Sequence, residues 1–465
     1  MARAQSDCEV LDYYFHVSSA RVGLTQTQII LVQNKIPLVL GLGVTGKSIL
    51  NFLSKSHDEI YLIEENPDNT SLSGLSNYDT KVHVNPLIGE DFFKGVSVIY
   101  VSPGISKEHP IILKGNENKI LISSDIEEFL NNSKSLKIVV TGTNGKTSTS
   151  LMIEALLKAF YPHLKIKCIG NIGNPALPCL EQEIDVSVIE ASSFQLELIN
   201  EAQFEIGVLL NVHEDHLDRH KSFDEYRDIK KKVLKFSEYN ISFDDSNDLR
   251  KEHKNYDLFE MPEDIINSKF YKSWPKHDLQ NLKAAICVLD FFSQIYKQAP
   301  LNESNFYANI QIALESFKKP EHRFELLAEV KGIQYINDSK ATNIHATINA
   351  IQAVNRFKDK GNLFLICGGD LKGQDLSVLD PDIIKSIKEI FIFGKDKDTL
   401  FESMHKHTNC SIEKSLEDAV RKASKNAKDS DYVLLSPACS SLDMFEDYQA
   451  RGIKFKEIVE EIRNE

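Results

Sequence analysis

Two short runs of glycine, threonine and lysine have the composition to hold phosphate. Gly41–Ser48 reads GLGVTGKS and Thr141–Ser148 reads TGTNGKTS. Glycines let the backbone turn with its N–H groups facing an anion, lysine adds a counter-charge, and a hydroxyl next in line can face Mg²⁺. The first run matches G-x-x-x-x-G-K-[ST] and also the dinucleotide pattern G-x-G-x-x-G. The second departs from the former, because Val140 stands where its first glycine belongs. The residues downstream of each run reverse that ranking. About 20 residues after the first comes an apolar strand ending in Glu64 or Glu65, where a Rossmann unit carries its ribose-binding carboxylate. The first run therefore reads as a cradle for a nucleotide diphosphate, with Lys47 incidental. In the second, Lys146 can reach terminal phosphates and Thr147 can face Mg²⁺, and Glu190 ends another apolar strand about 40 residues later. A third cluster, NVHEDHLDRH (Asn211–His220), gathers histidines and acids just after a strand, where α/β sheets place ligand sites.

These groups need a scaffold, and the pattern around them supplies one. From Ile36 the chain alternates apolar strands with helical runs, which predicts parallel sheets. Strands are expected at IPLVLG, EIYLIE (Glu59–Glu64) and SVIYVS (Ser97–Ser102), with a helix from about Gly46. A second block opens with KIVV (Lys137–Val140) and continues through DVSVIE (Asp185–Glu190) and IGVLLN (Ile206–Asn211). A third shows NLFLIC (Asn362–Cys367), EIFIF (Glu389–Phe393) and YVLLS (Tyr432–Ser436), with Pro320 marking the boundary before it. Residues 242–268 are charged and weakly patterned, and read as a surface excursion.

Composition excludes several classes. The chain has 465 residues, enough for about three domains. A net charge of −14 and the lack of a basic stripe argue against a nucleic-acid partner. No apolar run approaches the ~20 residues that span a bilayer, and the acidic N-terminus does not resemble a signal peptide. Seven cysteines, scattered and never spaced as CxxC, fit a reducing cytoplasm rather than a disulfide framework or a zinc ribbon.

The motifs taken together resemble a known family. TGTNGKTS, GNIGNP (Gly170–Pro175), EASSFQLE (Glu190–Glu197), NVHEDHLDRH, EHRFE (Glu321–Glu325), NDSKATN (Asn337–Asn343) and LLSPACSSLDMF (Leu434–Phe445) occur in the order seen in the Mur ligases of peptidoglycan synthesis. Within them the chain looks like the branch that adds D-glutamate. The resemblance covers residues 36 to about 460. It implies an α/β protein of three domains: a Rossmann-like domain for the UDP-sugar substrate (36–133), a central P-loop ATPase domain (134–319) and a Rossmann-like domain for the amino acid (320–465). Residues 1–35 form an extension with no recognised counterpart. The implied reaction is amide formation between UDP-N-acetylmuramoyl-L-alanine (UDP-MurNAc-L-Ala) and D-glutamate through an acyl phosphate, with ATP and two Mg²⁺ ions, in the cytoplasm and by a monomer.

The resemblance also implies residue roles. Gly142, Thr143, Asn144, Gly145, Lys146, Thr147 and Ser148 hold ATP, with Asn281, Arg323 and Asp338. Thr147 and Glu190 hold one Mg²⁺. His216 and a carbamylated Lys230 hold the second, and Lys340 joins Lys146 among the catalytic cations. Read from the sequence alone, Lys230 is a surface lysine in the run Lys230–Lys232. Val44, Thr45, Glu64, Ser102 and Asn171 contact the UDP substrate. Thr342, Lys372, Ser441, Leu442 and Tyr448 hold D-glutamate, Lys372 countering its side-chain carboxylate. One departure stands out: Asp278 occupies a position usually held by asparagine, placing a negative charge on the adenine side. Two other readings compete: a related ligase with another acceptor, such as a folylpolyglutamate synthase or the diamino-acid-adding enzyme, and a non-catalytic descendant. The missing Asp-Asn-Pro-Arg motif argues against the diamino-acid enzyme. The intact set Lys146, Thr147, Glu190, His216 and Lys230 argues against a non-catalytic descendant.

Overall fold

A computed structural model describes residues 35–65, 75, 78–216, 219–243, 271, 274–296, 306–315, 317, 319–358 and 360–465. The extension at 1–35 and the excursion at 242–268 thus lie almost wholly outside the described residues. The chain divides into two compact units. One runs up to Lys137 and takes in Ile169–Phe204; the other comprises Ile138–Cys168 and Glu205–Glu465.

In the first unit, β1 (Ile36–Leu40), β2 (Glu59–Ile63), β3 (Lys81–Val84), β4 (Val96–Val101) and β5 (Leu121–Ser123) form a parallel sheet in the order β3-β2-β1-β4-β5. Leu38, Val39 and Leu40 are buried along with their neighbours on both faces. A parallel strand covered on both sides needs such a continuous apolar run. The helix after β1 begins at Val44, two residues earlier than the sequence suggested, and runs to Leu53. Gly41, at φ +90°, ends the strand, and a side chain there would strike Ile105.

Five strands make the sheet of the middle block: β6 (Leu136–Thr141), β7 (Ile166–Gly170), β8 (Val186–Glu190), β9 (Phe204–Leu209) and β10 (Ser237–Ser242). β6 and β9 pair in parallel, from Ile138↔Ile206 to Thr141↔Leu209. Strand β9 was expected to reach Asn211 but stops at Leu209. Asn211 instead turns its side chain to the loop after β6. The long helix Lys276–Ile295 packs against Lys146–Phe160, and its Leu282, Ala285, Ile286 and Leu289 are buried.

The third block is a six-stranded sheet in the order β11-β12-β16-β13-β14-β15, formed by β11 (Glu325–Val330), β12 (Ile333–Asn337), β13 (Leu363–Gly368), β14 (Glu389–Phe393), β15 (Asn409–Ile412) and β16 (Tyr432–Leu435). Every pairing is parallel except β11–β12, an antiparallel hairpin. The sequence showed β13, β14 and β16 but not this hairpin. Its outer strand is half exposed and carries Glu325, Leu326 and Glu329, so it lacks the apolar run of a central strand. No helix among the described residues is long and apolar enough to cross a membrane.

Candidate active site

The glycine loop at Thr141 lies in the second unit, between β6 and the helix Lys146–Phe160. Gly145 caps that helix at φ +86°, and the Asn281 side chain occupies the space where a Cβ would stand. Only glycine satisfies both conditions. No side chain caps the helix, so its first-turn N–H groups face the loop, an arrangement suited to an anion.

This loop is stitched to the turn after β9. Thr143 N–H donates to the Asn211 carbonyl (2.9 Å), Asn144 N–H to Asn211 Oδ1 (2.9 Å), and Asn211 Nδ2 back to the Asn144 carbonyl (3.1 Å). The Thr143 hydroxyl accepts from His213 N–H (3.0 Å) and lies 3.0 Å from the Tyr226 hydroxyl. Lys146 Nζ donates to the carbonyls of Gly142 and Thr143, each at 2.9 Å. Lys230 Nζ donates to the same Gly142 carbonyl at 2.8 Å.

Lys230 is therefore not the surface residue its lysine run suggested. It is 1% exposed, and its ammonium lies 4.8 Å from the centre of the Tyr226 ring. A signal for this was present in the sequence. On the helix Phe223–Lys235 the buried residues are Tyr226, Ile229, Lys230, Val233 and Leu234, so Lys230 falls inside the apolar stripe while Lys231 and Lys232 flank it.

His216, at φ +56°, comes directly after a buried acid that sequence reasoning did not single out. Asp215 accepts from His216 N–H at 2.9 Å. Burial alone would raise its carboxyl, but His216, Lys372, Lys146 and a hydrogen bond from Asn343 outweigh that and hold it below the usual range. Non-glycine residues at positive φ are uncommon, and Lys372 is another, at +52°.

Residues of the third block meet this loop. Arg323 Nη2 donates to the Thr147 hydroxyl at 2.7 Å. Asp338 accepts from Phe324 N–H (3.0 Å) and the Ser436 hydroxyl (3.0 Å), yet burial pushes its carboxyl up to about 7. Asp278 is paired with Lys319, which also lies 5.5 Å from the centre of the Trp274 ring. The extra negative charge of this chain thus has its counter-charge, on a residue the sequence did not flag. Lys340 Nζ sits 4.0 Å from the centre of the Tyr448 ring. Thr342 is half-buried, Ser441 is buried and Leu442 is exposed. Behind them Arg451, fully buried, donates to the Ser339 hydroxyl (3.0 Å) and to the carbonyls of Ser339 (2.8 Å) and Cys439 (3.1 Å). It ties together the two loops that carry Lys340 and Ser441. Burial raises the Cys439 thiol well above its ordinary range.

A separate cavity of about 550 Å³ lies in the first unit, lined by the glycine loop Gly41–Thr45 and by Glu64, Glu65, Ser102, Asp125 and Asn171, among others. Glu64 accepts from Leu42 N–H at 2.6 Å, closing on the loop, whereas exposed Glu65 is drawn out to His109 Nε2 at 2.9 Å. Ser102 donates to the Gly41 carbonyl (3.0 Å), and burial pushes the Asp125 carboxyl up to about 6. Lys47 is exposed and does not line the cavity. Also in this unit, Glu190 ends β8. One of its oxygens accepts from Asn171 Nδ2 at 2.8 Å, and the other is buried with no hydrogen-bond partner among the described residues.

Comparison with known proteins is consistent with this arrangement. The MurD-like N-terminal domain of Mur ligases matches residues 35–124, the Mur ligase middle domain 140–258, and the Mur ligase glutamate ligase domain 322–439. The chain belongs to the Mur ligase family. A UDP-N-acetylmuramoylalanine--D-glutamate ligase from Francisella philomiragia is 33% identical over 443 residues, covering 92% of this chain and 97% of that protein. One of the same name from Francisella tularensis subsp. novicida is 32% identical over 439 residues, with the same coverage. Among solved structures, the Mur ligases MurC and MurF from Thermotoga maritima share the fold. Each has a TM-score of 0.53, at 14% and 16% identity, covering 92% and 93% of this chain and 99% of each solved chain.

Asp338 gives this Mur ligase a stability signature. Its carboxyl is raised in the folded state from an ordinary 3.8 to about 7. The associated stability is full below the unfolded value and is lost as pH rises through the folded one. Wild type should therefore lose thermal stability relative to Asp338→Asn between about pH 5 and about pH 8 in nucleotide-free protein. A gap that stays constant across that range would contradict the assignment.

Proposed function

We infer that this chain is an ATP-dependent amide ligase that joins D-glutamate to UDP-N-acetylmuramoyl-L-alanine, a step in making peptidoglycan precursors. The observation that carries this reading is one compact unit in which a glycine loop with Lys146 is hydrogen-bonded to Asn211 and His213, in the turn that leads to His216, and to Lys230 and Arg323. The D-glutamate specificity rests on the curated relatives, which bear that activity in their names across nearly their whole length.

A carboxylate is a poor acyl donor because its leaving group would be oxide. Moving the γ-phosphoryl group of ATP onto the carboxylate oxygen breaks the bond to ADP and gives an acyl phosphate. The amine of D-glutamate then attacks the carbonyl carbon, the C–O bond to phosphate breaks, and the amine loses its proton. All partners are anionic, so cationic side chains must offset their repulsion. Lys146 would follow the β- and γ-phosphates, leaving the loop carbonyls it now touches. Arg323, Asn281 and Asp338 are assigned to ATP, and Val44, Thr45, Glu64, Ser102 and Asn171 to the UDP substrate. Lys340 is assigned with Lys146 to the catalytic cations that meet ATP, and Thr342, Lys372, Ser441, Leu442 and Tyr448 are assigned to D-glutamate. Glu64 is chosen over Glu65 because it closes on the glycine loop. The division 36–133, 134–319 and 320–465 contains the matched families apart from residue 35.

Magnesium would supply charge neutralisation at the phosphates. Thr147, Glu190, His216 and a carbamylated Lys230 are its candidate ligands. The orphaned Glu190 oxygen fits an oxygen-seeking cation, and a buried lysine fits carbamylation, which begins from the uncharged amine. Free cysteines throughout the described residues fit the cytoplasm as the site of the reaction.

Phosphate release from ATP with UDP-N-acetylmuramoyl-L-alanine and a panel of amino acids tests the reading. D-Glutamate should support turnover; turnover with L-glutamate, lysine or diaminopimelate but not D-glutamate would overturn it. Lys146→Ala should reduce ATP turnover by on the order of a hundredfold or more, while Lys47→Ala leaves it nearly intact. The reverse pattern would mean that the two loops exchange roles. Lys230→Ala should lose activity and regain part of it with added short carboxylic acids, and full activity without them would exclude the carbamate.

A further inference from the structure

Asn343 lies at the start of the helix Ile344–Phe357, in the turn that also carries Lys340 and Thr342. Its Oδ1 accepts from Ala346 N–H at 2.9 Å, an ordinary helix cap. A cap needs only that oxygen, but the rest of the amide is also engaged. Oδ1 accepts from Asn144 Nδ2 (3.3 Å), and Nδ2 donates to Asn144 Oδ1 (3.1 Å) and to Asp215 Oδ2 (3.3 Å). Both donor hydrogens and both acceptor positions of the amide are thereby used, in a side chain only 2% exposed.

The partners are not generic. Asn144 is in the glycine loop, with its backbone already fixed by Asn211, so its side chain is the part that reports to the third block. Asp215 precedes His216 and feels Lys146 and Lys372. Beside this contact His345 stacks on His213, ring centres 4.3 Å apart. No other common capping residue reproduces the arrangement. Aspartate and serine can cap but cannot donate two hydrogen bonds, and aspartate would set a second carboxylate against Asp215.

We propose that Asn343 is a positioning residue that couples the phosphate loop to the acceptor-binding turn, so that loading the loop sets where the incoming amine is held. This rests on the ligase reading of the chain. It assigns Asn343 to the second half of the reaction, attack by the amine, and not to formation of the acyl phosphate.

The test uses full-length Asn343→Ser, which keeps a capping oxygen and loses the amide donors. Its melting temperature should stay within a few degrees of wild type. The rate of acyl-phosphate formation, trapped by borohydride reduction in the absence of acceptor, should change by less than about twofold, while kcat/KM for D-glutamate falls by about tenfold or more. Asn343→Asp, which also caps, should lose at least as much. Unchanged kcat/KM for D-glutamate would reduce Asn343 to a cap and overturn the proposal. Equal losses in trapping and in turnover would overturn it too, by showing a general structural role. If wild type itself fails to ligate D-glutamate, the ligase reading has failed instead, which the same assay distinguishes.

Discussion

Two ammonium groups end on one carbonyl oxygen. Lys146 and Lys230 both donate to Gly142, and like charges held so near one acceptor repel each other more strongly the drier their surroundings. The arrangement is tolerable because the Asp215 carboxylate lies close by. Much of the second unit serves to hold that oxygen still. β6 delivers it, Asn211 pins the residues after it, Gly145 turns the chain into a helix, and the apolar stripe of Phe223–Lys235 buries the stem of Lys230. The third block contributes Arg323 and Asn343, which bond to Thr147 and Asn144 of the same loop.

Much of this was legible in the sequence where the signal was local. Buried parallel strands announce themselves as continuous apolar runs, and the sequence placed most of them within one or two residues. The two glycine loops were ranked from the acids and strands downstream of them, and the structure adds that Lys47 is exposed and does not line the cavity. What was illegible depends on partners far apart in the chain. The pairings of Asp278 with Lys319 and of Asn144 with Asn343 span 41 and 199 residues, and nothing at either end marks the other. Arg451 resembles any helix arginine until its three acceptors on two loops are seen. In the β11–β12 hairpin, β11 was missed because an edge strand needs no strongly apolar run, and β12, an interior strand, because Gln334 and Asn337 break its short apolar run.

Lys230 falls between these cases. Its neighbours Lys231 and Lys232 suggest a solvated surface, while the spacing of Tyr226, Ile229, Val233 and Leu234 places it on the buried face. Composition and periodicity disagreed, and periodicity was the better guide, because a helix buries a face and not a segment.

The buried thiol of Cys439 bears on chemical intervention. It immediately precedes Ser440 and Ser441 in the chain, a position that would invite a covalent warhead aimed at the proposed D-glutamate residues. Burial keeps the sulfur protonated, and only the thiolate is a competent nucleophile. An electrophilic inhibitor aimed at the proposed D-glutamate residues would therefore find Cys439 a poor target, and would have to gain its residence time from reversible contacts.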